Sequence, residues 1–389
     1  MTSGVCFPRG FSASGVAAGL KASGKKDLAL VVNTGSAPSA AGVFTTNRVV
    51  AEPVKYTRKI METSVPTVVI LNSGNANAAT GARGYADVEE TVAALAAQMQ
   101  IDENQIAVCS TGVIGEYMDT ETLTKGIPSL VAGLSSEGAL DAATAIMTTD
   151  TVPKEVQVET GGWRIGGMAK GAGMLAPALA TMLCVVTTDA IVEGGALQAA
   201  LENAVERSFN RLDTDGCMST NDTVLLLSSG ESGVQPDPEA FGAELEKLLT
   251  ELAGMLRDDA EGAEHFVDIT VKGAQSEEAA VEVARSVSRS NLVKTAIFGN
   301  DPNWGRILSQ VGTVPTSVAR FDPSKVNISI NGVMICRGGG IGDPKEDLDL
   351  SASKRVQIEI DLAAGESSAT VFTTDLTHGY VHENSAYTT

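Results

Sequence analysis

Short β-branched runs alternate with longer helical patterns along the chain, and that alternation limits the folds open to it. Residues 28–33, 42–46, 67–72 and 106–110 are brief, apolar and closed by turn residues, so they read as strands. Residues 86–100 repeat apolar side chains at helical spacing. Asp87, Glu89 and Glu90 fall in what reads as the first turn of that helix, where acidic groups suit the helix dipole. Residues 136–147, 193–207, 238–256 and 276–288 read as further helices. Strands are expected at 182–188, 223–227, 266–271, 326–330, 355–360 and 370–374. Helices and strands mixed in this way predict an α/β fold with helices covering sheets.

Aromatic residues make up only 4% of the 389, while 40 are glycine. The core must therefore rest on Val, Ile, Leu and Ala, with many tight turns. The length fits two or three domains or one large one. Acidic residues outnumber basic ones 48 to 28, and the excess lies mainly in the second half, where residues 181–389 carry 32 against 15. Neutralising phosphate needs Lys and Arg, so this balance disfavours nucleic acid and anionic membranes. Five scattered cysteines without a CxxC pair point to a reducing, cytoplasmic setting rather than a disulfide framework. The start shows no signal peptide, and the longest apolar stretch, 174–186, is interrupted by Pro177 and Thr181 and too short to span a bilayer.

Several motifs are candidates for chemistry. His378 and His382 have H-x3-H spacing, but Gly379 lies between them, the flanks read as extended, and no further ligand is near; no metal site is expected. Gly171–Ala176 is a weak dinucleotide pattern, yet Pro177 and a β-branched run follow where a helix should open. The tripeptide Thr-Thr-Asp recurs at 148–150, 187–189 and 373–375, which reads as a strand end followed by an Asp turn rather than a duplication. Thr181 follows a glycine-rich, small-residue segment and enters an apolar run. A threonine hydroxyl is a poor nucleophile without a base, and cutting the bond before it frees its own α-amine for that task. Pattern alone leaves Thr181 an ordinary strand-start residue. Ser110-Thr111-Gly112 likewise reads as a strand-to-loop turn that can aim a hydroxyl and an N–H at one point.

Longer motifs resolve this. The chain carries Asn72-Ser-Gly-Asn-Ala-Asn-Ala78, Ser110-Thr-Gly-Val-Ile-Gly115, Ala145-Ile-Met-Thr-Thr-Asp-Thr151 and Lys170-Gly-Ala-Gly-Met174. Ala180-Thr-Met-Leu183, Ser219-Thr-Asn-Asp-Thr223, Asp259-Ala-Glu-Gly262, Asp301-Pro-Asn-Trp-Gly-Arg306 and Asn384-Ser-Ala-Tyr-Thr-Thr389 follow. In this order they resemble the ornithine acetyltransferases of arginine biosynthesis, also called bifunctional glutamate N-acetyltransferases, over nearly the whole chain.

The resemblance implies an α/β/β/α sandwich with a smaller C-terminal lobe from about residue 276. It implies self-cleavage between Ala180 and Thr181 into an α chain, 1–180, and a β chain, 181–389, assembled as an (αβ)2 heterotetramer. Thr181 would be the nucleophile, taking acetyl from N2-acetylornithine and passing it to glutamate. Thr111 and Gly112 match the oxyanion hole. Thr148, Lys170, Thr181, Glu261, Asn384 and Thr389 match substrate contacts. No cofactor is implied, although some relatives accept acetyl-CoA as a co-substrate. Cys217-Met218 stands where relatives usually carry Asp-Thr. The rival readings are an N-terminal-nucleophile aminopeptidase of related fold, a nicotinamide oxidoreductase resting on Gly171–Ala176, and a non-catalytic acidic binding protein.

Overall fold

A computed structural model describes residues 2–176 and 182–386. The described residues form two compact units, one of residues 2–176, 182–210 and 217–259 and the other of 211–216 and 260–386.

The first unit contains β1 (Phe11–Val16), β2 (Leu28–Asn33), β3 (Ser39–Phe44), α1 (Glu52–Met61), β4 (Val68–Asn75), α2 (Gly81–Met99) and β5 (Ile106–Val113). It continues with α3 (Thr120–Ala132), α4 (Ala139–Ala145), β6 (Lys154–Thr160), β7 (Trp163–Lys170), β8 (Leu183–Thr188), α5 (Gly194–Arg207), β9 (Thr223–Ser228) and α6 (Pro238–Asp258). One sheet has the order β1-β2-β4-β5 and the other β3-β9-β8-β7-β6. Strands β4 and β5 run parallel, as do β8 and β9, and the remaining neighbours are antiparallel.

Side-chain alternation explains how these layers stack. Ala29, Val31, Val69, Leu71, Ala107 and Cys109 point to one side of the first sheet and share a core with Met168, Leu183, Val185, Leu225 and Leu227 of the second. Leu28, Leu30, Ile70, Ile106 and Val108 point to the other side, against Val92 and Leu95 of α2 and Leu123 and Ile127 of α3. Helices α5 and α6 cover the second sheet over β3, β6 and β7. The result is the expected α/β/β/α sandwich. Central strands covered on both faces need apolar side chains at every position, which is why β2 reads as an unbroken run.

The second unit contains β10 (Phe266–Ala274), α7 (Glu277–Ser288), α8 (Asn291–Phe298), α9 (Trp304–Val311), β11 (Asn327–Ile330), β12 (Val333–Arg337), β13 (Gly340–Ile341), β14 (Arg355–Asp361), β15 (Ser367–Thr374) and α10 (His378–Ala386). Its sheet has the order β13-β12-β11-β14-β10-β15. The buried face packs Val267, Ile269, Ile358 and Ile360 against Val283 and Val287 of α7 and Ile307 and Val311 of α9. This unit is the smaller C-terminal lobe. The position near 276 expected for its start falls just after β10, one of its central strands.

Two local expectations need correction. Helix α2 begins at Gly81, so Asp87, Glu89 and Glu90 lie inside it rather than in its first turn. The flanks of His378 and His382 are helical, not extended, because α10 runs through both. The His378 ring packs edge-on against Phe298, with centroids 5.5 Å apart. Among the described residues no helix is long and apolar enough to cross a membrane.

Candidate active site

In the first unit the chemistry gathers where strands end. Strand β5 finishes beside β4 with a register shift at Gly74 and Asn75, and there Gly112 adopts φ +135°. A Cβ at Gly112 would lie 2.3 Å from the Gly74 carbonyl carbon, so only glycine lets the two strand ends approach. The turn is braced from behind. The Ser110 hydroxyl donates to Asn72 Oδ1 at 2.5 Å, and the Asn221 amide donates to the carbonyls of Ala76 and Ser110 at 2.6 and 2.9 Å.

Lys170, the last residue of β7, is buried and donates from Nζ to the Thr111 hydroxyl oxygen at 3.2 Å. That contact brings together two expected site residues separated by 59 positions. A hydroxyl that accepts from a cation is polarised, and its own proton remains available to another acceptor.

A buried ion cluster supports this corner. Asp150 Oδ1 accepts from Lys154 Nζ and from the Gly171 N–H, each at 2.7 Å, while Oδ2 accepts from the Thr148 N–H at 3.0 Å. Lys154 also donates to Asp259 Oδ2 at 2.6 Å, and Asp259 takes the Thr151 N–H at 3.0 Å and the Thr151 hydroxyl. Burial alone would raise the Asp150 carboxyl. The Lys170 and Lys154 ammonium groups and the donated hydrogen bonds outweigh it and hold the group at about 2. One carboxylate thus ties the Thr148 loop to the backbone just beyond Lys170. The Thr148 side chain is exposed and that of Thr149 half-buried. After β7, residues 172–174 form a bend, and the described residues 171–176 contain no helix of the kind the nicotinamide reading needs.

In the second unit, Asn384 on α10 donates from Nδ2 to Glu261 Oε2 at 3.0 Å, joining two more expected residues across 123 positions. The turn that carries Glu261 is fixed against the helix. Thr377 donates its hydroxyl to the Gly262 carbonyl at 2.5 Å, and a Cβ at Gly262 would meet the Tyr380 nitrogen at 2.2 Å. Asp375 accepts from the N–H groups of Glu264 and His265 and from His265 Nδ1 at 2.7 Å. The same unit holds a cleft of about 410 Å³ lined in part by Thr214, Asp215, Arg289 and Lys294. Burial lowers the Lys294 ammonium to about 8, and its donors meet Thr214 O, Thr373 Oγ1 and Thr374 O.

Ala180, Thr181 and Thr389 lie outside the described residues. Sequence reasoning assigned no role to Asp150, Lys154, Asp259 or Asp222. Asp150, Asp259 and Asp222 sit inside motifs already noticed, but Lys154 belongs to none, and its buried partners are 4 and 105 positions away.

These features define a class: a two-sheet α/β/β/α protein with a cation, a hydroxyl and a glycine turn converging at strand ends. Comparison with known proteins makes the class specific. The ArgJ family model matches residues 12–389. The chain is 52% identical over 388 residues to the arginine biosynthesis bifunctional protein ArgJ of Bifidobacterium longum, covering 98% of this chain and 99% of that one. It is 50% identical over 383 residues to the protein of that name from Streptomyces coelicolor, again covering 98% and 99%. A solved structure of ornithine acetyltransferase complexed with ornithine from Mycobacterium tuberculosis is 47% identical, with 47% of this chain and 97% of that chain covered and a TM-score of 0.45. The chain belongs to the ArgJ family.

Proposed function

We propose that the protein moves the acetyl group of N2-acetyl-L-ornithine to L-glutamate, giving L-ornithine and N-acetyl-L-glutamate in arginine biosynthesis. The observation that carries the reading is the buried Lys170–Thr111 contact beside the Gly112 turn, in a chain of this family. The bifunctional name of the relatives supports acetyl-CoA as a second acetyl donor.

The reaction follows from the groups. Scission between Ala180 and Thr181 frees the Thr181 α-amine, which serves as base for its own hydroxyl. The Thr181 oxygen attacks the acetyl carbonyl carbon, and the Thr111 hydroxyl and Gly112 N–H take the charge on the carbonyl oxygen. The C–N bond breaks, ornithine leaves with a proton on its amine, and an acetyl ester remains on Thr181. Glutamate's amine then attacks that ester and restores the threonine. Lys170 suits a substrate α-carboxylate. Glu261, held by Asn384, suits the side-chain ammonium of ornithine. Thr148 and the terminal Thr389 complete the substrate contacts in this reading. The cleaved chains assemble as (αβ)2 in the cytoplasm.

Intact-mass analysis tests the scission. Wild type should give two fragments, the second starting at Thr181, and Thr181→Ala one uncut chain. A wild-type enzyme that exchanges acetyl groups at full rate as one continuous polypeptide would overturn the mechanism. Release of free acetate without transfer to glutamate would favour the aminopeptidase-like reading. Thr111→Ala should lower kcat by about 10²–10³-fold with KM little changed, the effect of losing one oxyanion donor. Unchanged kcat removes Thr111 from the oxyanion hole.

A further inference from the structure

The segment Ser219-Thr-Asn-Asp-Thr223 is left without a chemical role by the reaction above. Asn221 braces the Thr111 turn, but its neighbour does something else. Asp222 is wholly buried, and its Oδ1 accepts the Met182 N–H at 3.0 Å. Its backbone carbonyl is fixed by the Thr45 N–H at 2.9 Å. The next residue, Thr223, donates its N–H to the Met182 carbonyl at 3.2 Å. Met182 is therefore gripped at both backbone polar groups by one turn. Strands β8 and β9 already run in parallel register from Leu183 and Thr223 onward, so the Asp222 side chain extends that pairing by one amide beyond the sheet. Asp222 Oδ2 is buried and has no hydrogen-bond partner among the described residues.

We propose that Asp222 is a positioning residue for the nucleophile: it holds the backbone N–H of Met182, the residue that follows Thr181 in the chain. This rests on the reading of Thr181 as the attacking residue. An ionised carboxylate in so dry a place would be expensive. Burial pushes this carboxyl well above its usual range, against the Met182 N–H, the Ser219 hydroxyl and the nearby Lys170 charge. What positioning asks of Asp222 is the oxygen that accepts the Met182 amide, not a charge. An asparagine is nearly isosteric with aspartic acid and keeps that acceptor. Alanine loses it.

The experiment compares Asp222→Asn and Asp222→Ala with wild type for self-cleavage by intact mass and for acetyl transfer by kcat and KM. Wild type is measured first. If it neither cleaves nor transfers acetyl, the proposed function fails and Asp222 is not at issue. Given an active wild type, Asp222→Asn should cleave and turn over within about threefold of it. Asp222→Ala should lose about a hundredfold in kcat, the scale of an ångström-sized displacement of a reacting group, with KM for acetylornithine nearly unchanged. The kcat/KM profile of Asp222→Asn from pH 5 to 8 should overlay that of wild type. An asparagine variant with a hundredfold loss in kcat, or with an altered acid limb, shows that the charge or proton is needed and overturns the proposal. So does an alanine variant with wild-type kcat. Should Asp222→Ala fail to fold, the asparagine variant and its pH profile decide alone.

Discussion

The two units solve the same problem, burying an apolar sheet, at different depth. In the first, β2 is buried at all six positions because a sheet lies on one side and helices on the other. In the second, β14 alternates: Val356, Ile358 and Ile360 are buried while Arg355 and Gln357 are exposed. Polar groups are treated accordingly. The first unit keeps Lys154 and Lys170 out of water, and so must surround them with carboxylates and hydroxyls. The second buries Lys294 near the end of β15, but on the open side of its sheet it carries pairs such as Lys272–Glu359 half in solvent. A doubly covered sheet can hold charge in a dry place, where it acts strongly on a substrate. A sheet covered once cannot do so on its open face.

The largest expected effect follows directly. Asp150→Ala leaves Lys154 and Lys170 short of their shared counter-charge, and breaking such a buried set costs roughly 3–5 kcal/mol. Urea unfolding should show it, with amides of β7 losing hydrogen-exchange protection ahead of those of β14. A loss under about 1 kcal/mol would mean that the charges are not truly dry, and the contrast between the units would collapse. In the second unit the matching test is Ile358→Ala, which opens a cavity in that unit's core and should cost about 2–5 kcal/mol. There the β14 amides should lose protection first.

How legible the molecule was in its sequence follows the same contrast. Strands such as β14 announce themselves by alternation, and β2 by a closed apolar run, so both were readable. Strand β7 was not, because Gly166 and Gly167 sit where β-branched residues usually do. A Cβ at Gly166 would meet the Gly4 carbonyl oxygen at 1.8 Å, a long-range packing demand that no local pattern carries. Helix α10 was hidden by Gly379 and by its weakly amphipathic sequence. At the site, Thr111, Lys170, Glu261 and Asn384 were found through motif resemblance, and the structure adds the contacts that pair them. Asp150 and Lys154 could not be given roles from sequence, since a buried ion cluster is a property of the folded neighbourhood and not of spacing.

Acid sharpens the comparison next. The folded Asp150 carboxyl titrates at about 2 against an ordinary 3.8. Its contribution is therefore complete above about pH 4 and is lost as pH falls through 2. The size is roughly 2 kcal/mol. Unfolding free energies of wild type and Asp150→Asn from urea titration should converge by about that amount between pH 5 and pH 2. A constant difference across the range would show that Asp150 is not held ionised by its lysines.

The smallest effect is the most selective. Gln357 is one residue from Ile358 on the same strand, yet it is exposed while Ile358 is fully buried. Its backbone N–H is already satisfied by the Asn331 side chain at 2.8 Å, and its carbonyl accepts from the Asn331 N–H at 2.8 Å, so truncating the side chain disturbs neither bond. Gln357→Ala should shift stability by no more than about 0.5 kcal/mol, in the range of ordinary surface substitutions. A loss approaching that of Ile358→Ala would show that the open face of this sheet is covered in solution, for instance by another copy of the chain. The second unit would then be a doubly covered sheet like the first, and the contrast drawn from β2 and β14 would no longer hold.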